Sequence, residues 1–566
     1  MFEHAVSVAN WLFQSRPGDA QDHVGARWIF LRALGLIYFS AFYSLLFQIE
    51  GLIGPAGILP AERYLQAVGK NLGAAGYWYA PTLLWVSSSQ HALEALVFAG
   101  LAASVLLTLN FWPRGMLVVC FLCFLSFIGG AQDFSSYQSD GMLLEAGFIC
   151  LFFVPPGLRP GLGWRRPPSR VSLFLLQWLW FRIYFESGLV KLASGEPQWR
   201  NLTAMDQYYQ NGPLPTWLGW YVQTLPHGFH AATALATLIM ELVLAWMLFL
   251  PRRYRRICFW IVTPWEIGVI FTANYAFLNY LVLSLGILLL DDEYLTKFGP
   301  RWWRQKLSLN WSGNEVPLRQ PLHNPLSVTG HRSSVNGTSG ERSESSHNSA
   351  SWTLHPRSLY RGAGLCISAF FLTWIFYATT AWLVWMVLPG FPIPSKPISA
   401  LAPFRIANHY GLFAVMTRGR YEIEFQGSRD GTTWEAYPFR YKPQDLRERP
   451  RIYAPYQPRF EWNLWFASLG GWREYPFVVV TEMRLLENAT DVLALFRGNP
   501  FPSEPPRQVR AVIWQYWFSD LETKRSSGLW WRRELLGLYA PPLEHKPDGT
   551  VAFVPQPGLP FAPPRE

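Results

Sequence analysis

The chain's 566 residues are 50% hydrophobic and 17% aromatic but only 15% charged, against roughly one quarter charged in soluble domains, which excludes a wholly soluble globular protein. The net charge of +10 does not point to nucleic acid, because the arginines cluster in short loops between apolar segments, where they report membrane topology.

In chain order, residues 1–26 lack the basic start, apolar centre and small-residue cleavage site of a signal peptide, so the first apolar segment is expected to serve as a signal anchor. A bilayer core takes about 20 apolar residues to cross. Candidate spans are 27–47, 91–111, 113–130, 141–155, 172–192, 231–250, 257–275, 276–290 and 363–388. The fold class expected is a polytopic α-helical membrane protein of about nine spans with a C-terminal, mainly β, soluble domain. The aromatic segment 74–86 is expected at the interface. Alternating spans put Arg114, then Arg159, Arg165, Arg166 and Arg170, then Arg252, Arg253, Arg255 and Arg256, and the basic stretch 301–361 on one side. The bias of Lys and Arg makes that side the cytoplasm, with the N-terminus. Loops 48–90, 131–140 and 193–230 and everything after 389 then face outward.

The cysteines Cys120, Cys123, Cys150, Cys258 and Cys366 all fall in apolar segments. Cys120 and Cys123 have the spacing of a redox or zinc motif. Their neighbours would desolvate a thiolate, so they read as buried helix residues, and no metal is expected. The helical membrane domain is expected over 1–292, and 293–362 as a basic linker whose Ser/Asn/Gly-rich part, 307–351, cannot bury enough surface to order. After the last span, 396–545 is expected to form the β-rich domain and 546–566 a Pro-rich tail. Tyr421, Ile423 and Phe425 alternate with Glu422, Glu424 and Gln426, the period of a half-buried strand. Turn residues at 427–431 lead to a second strand around Thr433, Trp434 and Tyr437. Phe477–Thr481 and Val512–Phe518 read as further strands, Asp491–Phe496 and Trp531–Leu538 as short helices.

No nucleophile elbow, zinc helix or P-loop occurs. The densest chemistry lies in Phe181–Leu192, where Arg182 and Glu186 are four residues apart on one helix face and Lys191 follows. Charges inside a membrane are costly unless paired or hydrated. Two readings stay open: a structural Arg–Glu pair with Lys191 snorkelling to the interface, or Lys191 as a base or ligand-binding cation beneath a lipid-accessible cavity. Glu94, Glu145, Glu241, Glu266, Asn274 and Asn279 read as interhelical hydrogen-bond partners. Whether they converge is not legible.

With these residues in view, the chain resembles the lipase maturation factor family. The resemblance rests on FRIYFESGLVKL (181–192) leading into Trp199–Pro215, on FTANYAFLNYLVLSLGILLLDD (271–292) and on YGLFAVMTRGRYEIEFQG (410–427). It continues through IYAPYQPRFEWNLWFASLG (452–470), LFRGNPFP (495–502) and WWRRELLGLYAPPL (530–543). It implies a membrane-anchored maturation factor, or chaperone, that helps secreted lipases or related hydrolases fold or assemble. The outer domain would meet the client, membrane lipid would be a partner, and no cofactor or nucleic acid is implied. The location would be the cell membrane and periplasm in a bacterium, or the endoplasmic reticulum membrane and lumen in a eukaryote. The family's cysteines outside the membrane are not reproduced, which argues against a thiol mechanism. Tyr184, Phe185, Gly188, Lys191 and Leu192 followed by Trp199 are also distantly similar to the membrane motif of vitamin-K-dependent carboxylases and their horizontally transferred transmembrane (HTTM) relatives. That similarity implies an alternative, an enzyme acting on a quinone or lipid with Lys191 as base, beside Glu186 and Arg182. Exposed aromatic side chains favour client contact, and the candidates are Trp434, Tyr453, Tyr456, Trp462 and Trp465, with Arg459 and Glu461 setting register by charge. For each aromatic the competing reading, and the favoured one, is ordinary core packing.

Overall fold

The computed structural model describes residues 12–13, 23–299 except 165, and 356–563 except 547 and 557. Residues 300–355 of the basic linker, Arg165 and the last three residues lie outside the described residues, while the linker's two ends are helical, in Asp292–Phe298 and from Pro356 onward.

Each predicted apolar segment is helical. The helices are α1 (Val24–Leu46), α2 (Gln90–Thr108), α3 (Pro113–Gly130), α4 (Gln138–Phe153), α5 (Arg170–Ala193), α6 (His227–Leu242), α7 (Arg252–Thr272), α8 (Leu278–Gly286) and α9 (Pro356–Val387). Among the described residues, five stretches are long and apolar enough to cross a membrane: α1, α2, α3, His227–Phe249 and Gly362–Val387. The count of nine is therefore not carried by length and hydropathy. α4 has 16 residues and α8 nine, while α5 carries buried charges and α7 starts on arginines and contains Pro264. Local chemistry sets several ends. Ser89 and Ser169 accept the amide hydrogens of Ala92 and Ser172 to cap α2 and α5, and Pro113 occupies the first turn of α3. α1 and α2 pack closely because Gly35 faces Ser104 and Thr108, where a Cβ would sit 2.4 Å from the Thr108 hydroxyl.

The two ends of the bundle are held by different contacts. At one end, Arg27 donates to the carbonyls of Gly163 (2.9 Å) and Arg166 (2.8 Å), Asp292 accepts from the amides of Val24 and Gly25, and Arg256 pairs with Asp291 at 2.7 Å. At the other end, the loops after α1, α3 and α5 all meet the C-terminal domain. Ser44 accepts from the Gln457 amide at 2.9 Å, Asp140 takes both arms of Arg459 at 2.7 and 2.8 Å, and Asn211 donates to the Thr417 carbonyl at 2.7 Å. The segment 74–86 exposes Tyr77, Trp78 and Tyr79.

The C-terminal domain is an antiparallel sheet of β1 (Arg420–Ser428), β2 (Glu435–Ala436), β3 (Gln508–Phe518), β4 (Trp531–Leu538), β5 (Leu543–His545) and β6 (Val551–Phe553). Its order is β2-β1-β3-β5-β6, with β4 also on β3. Helices α10 (Arg459–Ser468) and α11 (Phe477–Leu486) pack against it, and Phe425, Tyr437, Phe439, Phe460 and Phe496 stack at their junction. Three expectations are corrected. Phe477–Thr481 is helical: Phe477, Val478, Thr481, Glu482 and Leu485 make a buried stripe of helical period that outweighs the β propensity of three valines. Trp531–Leu538 is a strand, paired to β3 from Phe518–Trp531 to Val512–Leu538. β1 is not half-buried, because Glu422 and Glu424 are enclosed as well. Glu422 pairs with Arg420 and, at 3.0 Å, with Lys442, and Glu424 pairs with Arg533 at 3.3 Å. Part of the Pro-rich end adds β6 to the sheet edge instead of trailing free.

Asp140→Asn leaves the Arg459 charge buried and half-paired, and is expected to cost about 3–5 kcal/mol. Thermal unfolding of the detergent-solubilised protein should show a lowered midpoint and easier proteolysis between the two domains. An unchanged midpoint would mean the pair does not hold the domains together.

Candidate functional site

Helix α5 presents Arg182, Glu186 and Lys191 on successive turns, and all three are buried. They serve two distinct clusters.

Arg182 is bound chiefly by Glu145 of α4. Its other arm donates to the Asn408 carbonyl at 2.7 Å and lies 3.8 Å from Glu186. Glu145 also accepts from the Asn408 amide at 2.9 Å and from the Tyr410 hydroxyl at 3.0 Å, and Glu186 accepts from the Tyr410 amide at 2.7 Å. The Arg182 guanidinium lies over the Tyr410 ring at 5.4 Å. These charges hold the segment that follows α9 against α4 and α5. The predicted pairing of Arg182 with Glu186 is present but secondary, since Glu145 is closer.

Lys191 belongs to the second cluster. It donates to both oxygens of Glu241 on α6 at 2.7 and 2.8 Å and to the Leu412 carbonyl at 2.9 Å, with its ammonium 5.0 Å from the Trp199 ring centre. It is 1% exposed, so it does not snorkel to the interface. Gly188, one turn back, makes the pair possible: a Cβ there would lie 2.8 Å from the Glu241 Cβ, so a side chain would hold α6 away. Nearby, Glu266 of α7 accepts from the Tyr184 hydroxyl and, at 3.2 Å, from the Asn279 amide. Lys191, Glu241, Tyr184, Glu266 and Asn279 line one cavity of about 390 Å³ whose remaining walls are mostly apolar. All three Lys191 N–H groups are thus committed, two to a carboxylate and one to a carbonyl.

The other predicted acids and amides separate. Glu94 sits exposed at the start of α2 beside His91. Asn274 leaves the cavity and reaches the C-terminal domain, donating to the Arg451 carbonyl at 2.8 Å and accepting from the Tyr453 amide at 2.7 Å. Of the partner-contact candidates, Arg459, Glu461 and Trp462 are enclosed, Arg459 against Asp140 and Trp462 against Tyr137. Glu461 accepts the amides of Arg440 (2.8 Å) and Tyr441 (2.9 Å). Burial nevertheless pushes its carboxyl up to about 7. Trp434, Tyr453, Tyr456 and Trp465 keep part of their surface open, Trp434 beneath the Arg510 guanidinium at 3.9 Å. Asn408, Tyr410 and Leu412 were not singled out from the sequence. Their one signal is that a block of family resemblance begins at Tyr410.

Comparison with known proteins follows the same division. A family model described as the lipase maturation factor transmembrane domain matches residues 25–297, and one described as the lipase maturation factor C-terminal domain matches 406–541. Lipase maturation factor 2 of Gallus gallus is 32% identical, over 90% of this chain and 80% of its own length. The Homo sapiens protein of the same name is 31% identical, over 91% and 82%. Lipase maturation factor 1 of Bos taurus is 30% identical, over 94% and 93%. No solved structure matches. The carboxylase-like resemblance is not shown, and the alternative that Lys191 acts as a base has no support in these comparisons.

Two outcomes follow. Gly188→Leu is expected to split Lys191 from Glu241 and reduce the amount of folded protein in the membrane severalfold, by stranding two buried charges at a cost of about 3–5 kcal/mol. Normal abundance and melting would show that α6 does not need the close approach. For Glu461 the folded carboxyl keeps a proton that the unfolded chain has lost. The stability it contributes is therefore complete below the ordinary carboxyl range and declines as pH rises to 7, by up to about 3 kcal/mol. Melting curves between pH 5 and 7.5 should show that decline in the native chain and a flatter profile in Glu461→Gln. Parallel profiles would remove Glu461 as the cause.

Proposed function

Since the chain belongs to the lipase maturation factor family, we propose that it works as a membrane-embedded maturation factor that assists the folding or assembly of a secreted lipase or related hydrolase. The observation that carries this reading is the order and extent of the match: both family domains, in sequence, with relatives aligned over most of their own lengths. The apolar helices and the transmembrane family domain make it an integral membrane protein. The basic end of the bundle is assigned to the cytoplasm on charge bias, which sends the sheet domain outward, into the periplasm or the endoplasmic reticulum lumen according to the cell.

Client contact falls to the outer domain's open aromatic side chains. Trp434, Tyr453, Tyr456 and Trp465 keep the rigid, amphipathic surface that suits interface hot spots. Arg459, Glu461 and Trp462 act one layer beneath, holding that surface on the bundle. Because the sheet domain satisfies buried charges of the helices, deleting it would damage the whole protein. Point substitutions give the cleaner test.

The experiment co-expresses a secreted lipase with this protein in cells lacking their own maturation factor, and measures lipase activity per secreted molecule and the abundance of this protein. Trp434→Ala with Trp465→Ala is expected to cut the yield of active lipase about tenfold or more, since hot-spot truncations cost at least about 2 kcal/mol, at unchanged abundance. Full lipase activity in that variant would move the client surface elsewhere. No effect of deleting the protein altogether would sink the maturation reading for that client.

A further inference from the structure

The cavity at Lys191 is open to one side. Phe229, Thr233, Thr237 and Met240 lie along one face of α6, and Pro264, Gly268 and Thr272 along one face of α7. These two faces are the lips of a cleft about 16 Å long. Phe229, Pro264 and Gly268 are exposed, and a Cβ built at Gly268 meets no atom within 4 Å. The outward surfaces beside the lips carry Leu235, Ile239, Ile267 and Phe271, all exposed and apolar, so the mouth of the cleft faces hydrocarbon and not water. Its volume, about 390 Å³, lies within the roughly 300–1,000 Å³ of small-molecule sites.

The chemistry of the inner wall selects among membrane molecules. Lys191 is the only cation among the described lining residues, and its three donors are taken by Glu241 and the Leu412 carbonyl. The Trp199 ring nitrogen is committed to the Phe413 carbonyl at 2.9 Å, and the Thr233 and Thr237 hydroxyls to carbonyls one turn back on α6. Beyond the hydroxyls of Ser187 and Tyr209 and the Trp265 indole, what the wall still offers is acceptor capacity at its two acids. Each Glu241 and Glu266 oxygen accepts one hydrogen bond, and a carboxylate oxygen takes about two. A phosphate or free carboxylate entering here would meet two carboxylates and no available cation.

We propose that this cleft binds an uncharged, hydroxyl-bearing acyl lipid, a glyceride with a free hydroxyl being the simplest, drawn sideways from the membrane between α6 and α7. The acyl chain lies along the apolar lips, and the hydroxyl donates to Glu241 or Glu266. The site is independent of client recognition and stands or falls separately from it.

The test uses the full chain in lipid nanodiscs containing a trace of one of two photoreactive probes, a diazirine-bearing diacylglycerol or the matching phosphatidic acid. Crosslinked peptides are then mapped by mass spectrometry. The diacylglycerol probe is expected to label the cleft faces of α6 and α7, while the phosphatidic acid labels only outward positions. Gly268→Trp places an indole in the open cleft and should lower cleft labelling about tenfold. Ile267→Trp, on the outward face of the same helix, should leave it unchanged. Glu266→Gln keeps the shape and removes charge, and is expected to raise cleft labelling by the anionic probe. Equal cleft labelling by the two probes in the native chain would overturn the proposal, as would equal labelling of the native and Gly268→Trp proteins.

Discussion

Arg182 sits in the middle of an apolar helix with no exposed surface, and a guanidinium so placed must be neutralised or the helix cannot insert. Its neighbours on α5 cannot do this alone, because Glu186 approaches only to 3.8 Å. The charge is taken up by Glu145 from α4 and by the Asn408 carbonyl from the far side of α9. Three parts of the chain, widely separated in sequence, thus meet at one cation. Once Asn408 and Tyr410 are fixed there, the chain that follows has little freedom in where it enters the sheet domain.

The same exchange recurs around the end of the bundle that meets the sheet domain. Side chains from the helices and their loops bind backbone groups of the C-terminal segment: Asn274 takes the turn at 451–454, Ser44 and Gln48 take Gln457. In return, Arg420 donates to carbonyls of the loop after α5, at 3.1 Å from Gln210 and 3.2 Å from Pro213, and Arg459 fills Asp140. Each partner satisfies polar groups that the other has buried, and an unsatisfied buried group costs about 1–3 kcal/mol. A domain held by so many reciprocal contacts is a fixed platform rather than a tethered module.

Sequence conveyed the parts of this arrangement that rest on composition. Apolar runs located the helices, and the three charges of α5 stood out against their surroundings. Pairings that depend on folding were hidden. Glu145 and Glu241 were visible as intramembrane acids, but nothing in spacing assigns one to Arg182 and the other to Lys191. Arg459 looked like a surface residue beside tryptophans, because its partner Asp140 lies 319 positions away. Local propensity misled where tertiary packing decided, at the valines of α11 and at β4, whose alternating pattern is blurred by a bulge opposite Ile513 and Trp514. Asn408 and Tyr410 were illegible because their partners Glu145, Arg182 and Glu186 lie 224 to 265 positions away.

Rigidity and openness sit side by side on α5, and one residue explains why. Gly188 brings α6 close enough for Glu241 to reach Lys191, so the two helices touch at that level. The 3₁₀ segment Leu244–Phe249 then carries the chain from the end of α6 to Pro251 and α7. Pro264 lacks the amide needed for a helical hydrogen bond and disturbs the middle of α7, next to Gly268, which contributes no side chain. Contact at Gly188 and absent bulk at Pro264 and Gly268 together leave α5 tight against α6 while α6 and α7 part. The ion pair that fixes the bundle therefore also forms the inner wall of the cleft between α6 and α7. Filling that cleft changes shape without touching charge, whereas neutralising Glu266 changes charge without touching shape, so its two selective features are physically separable.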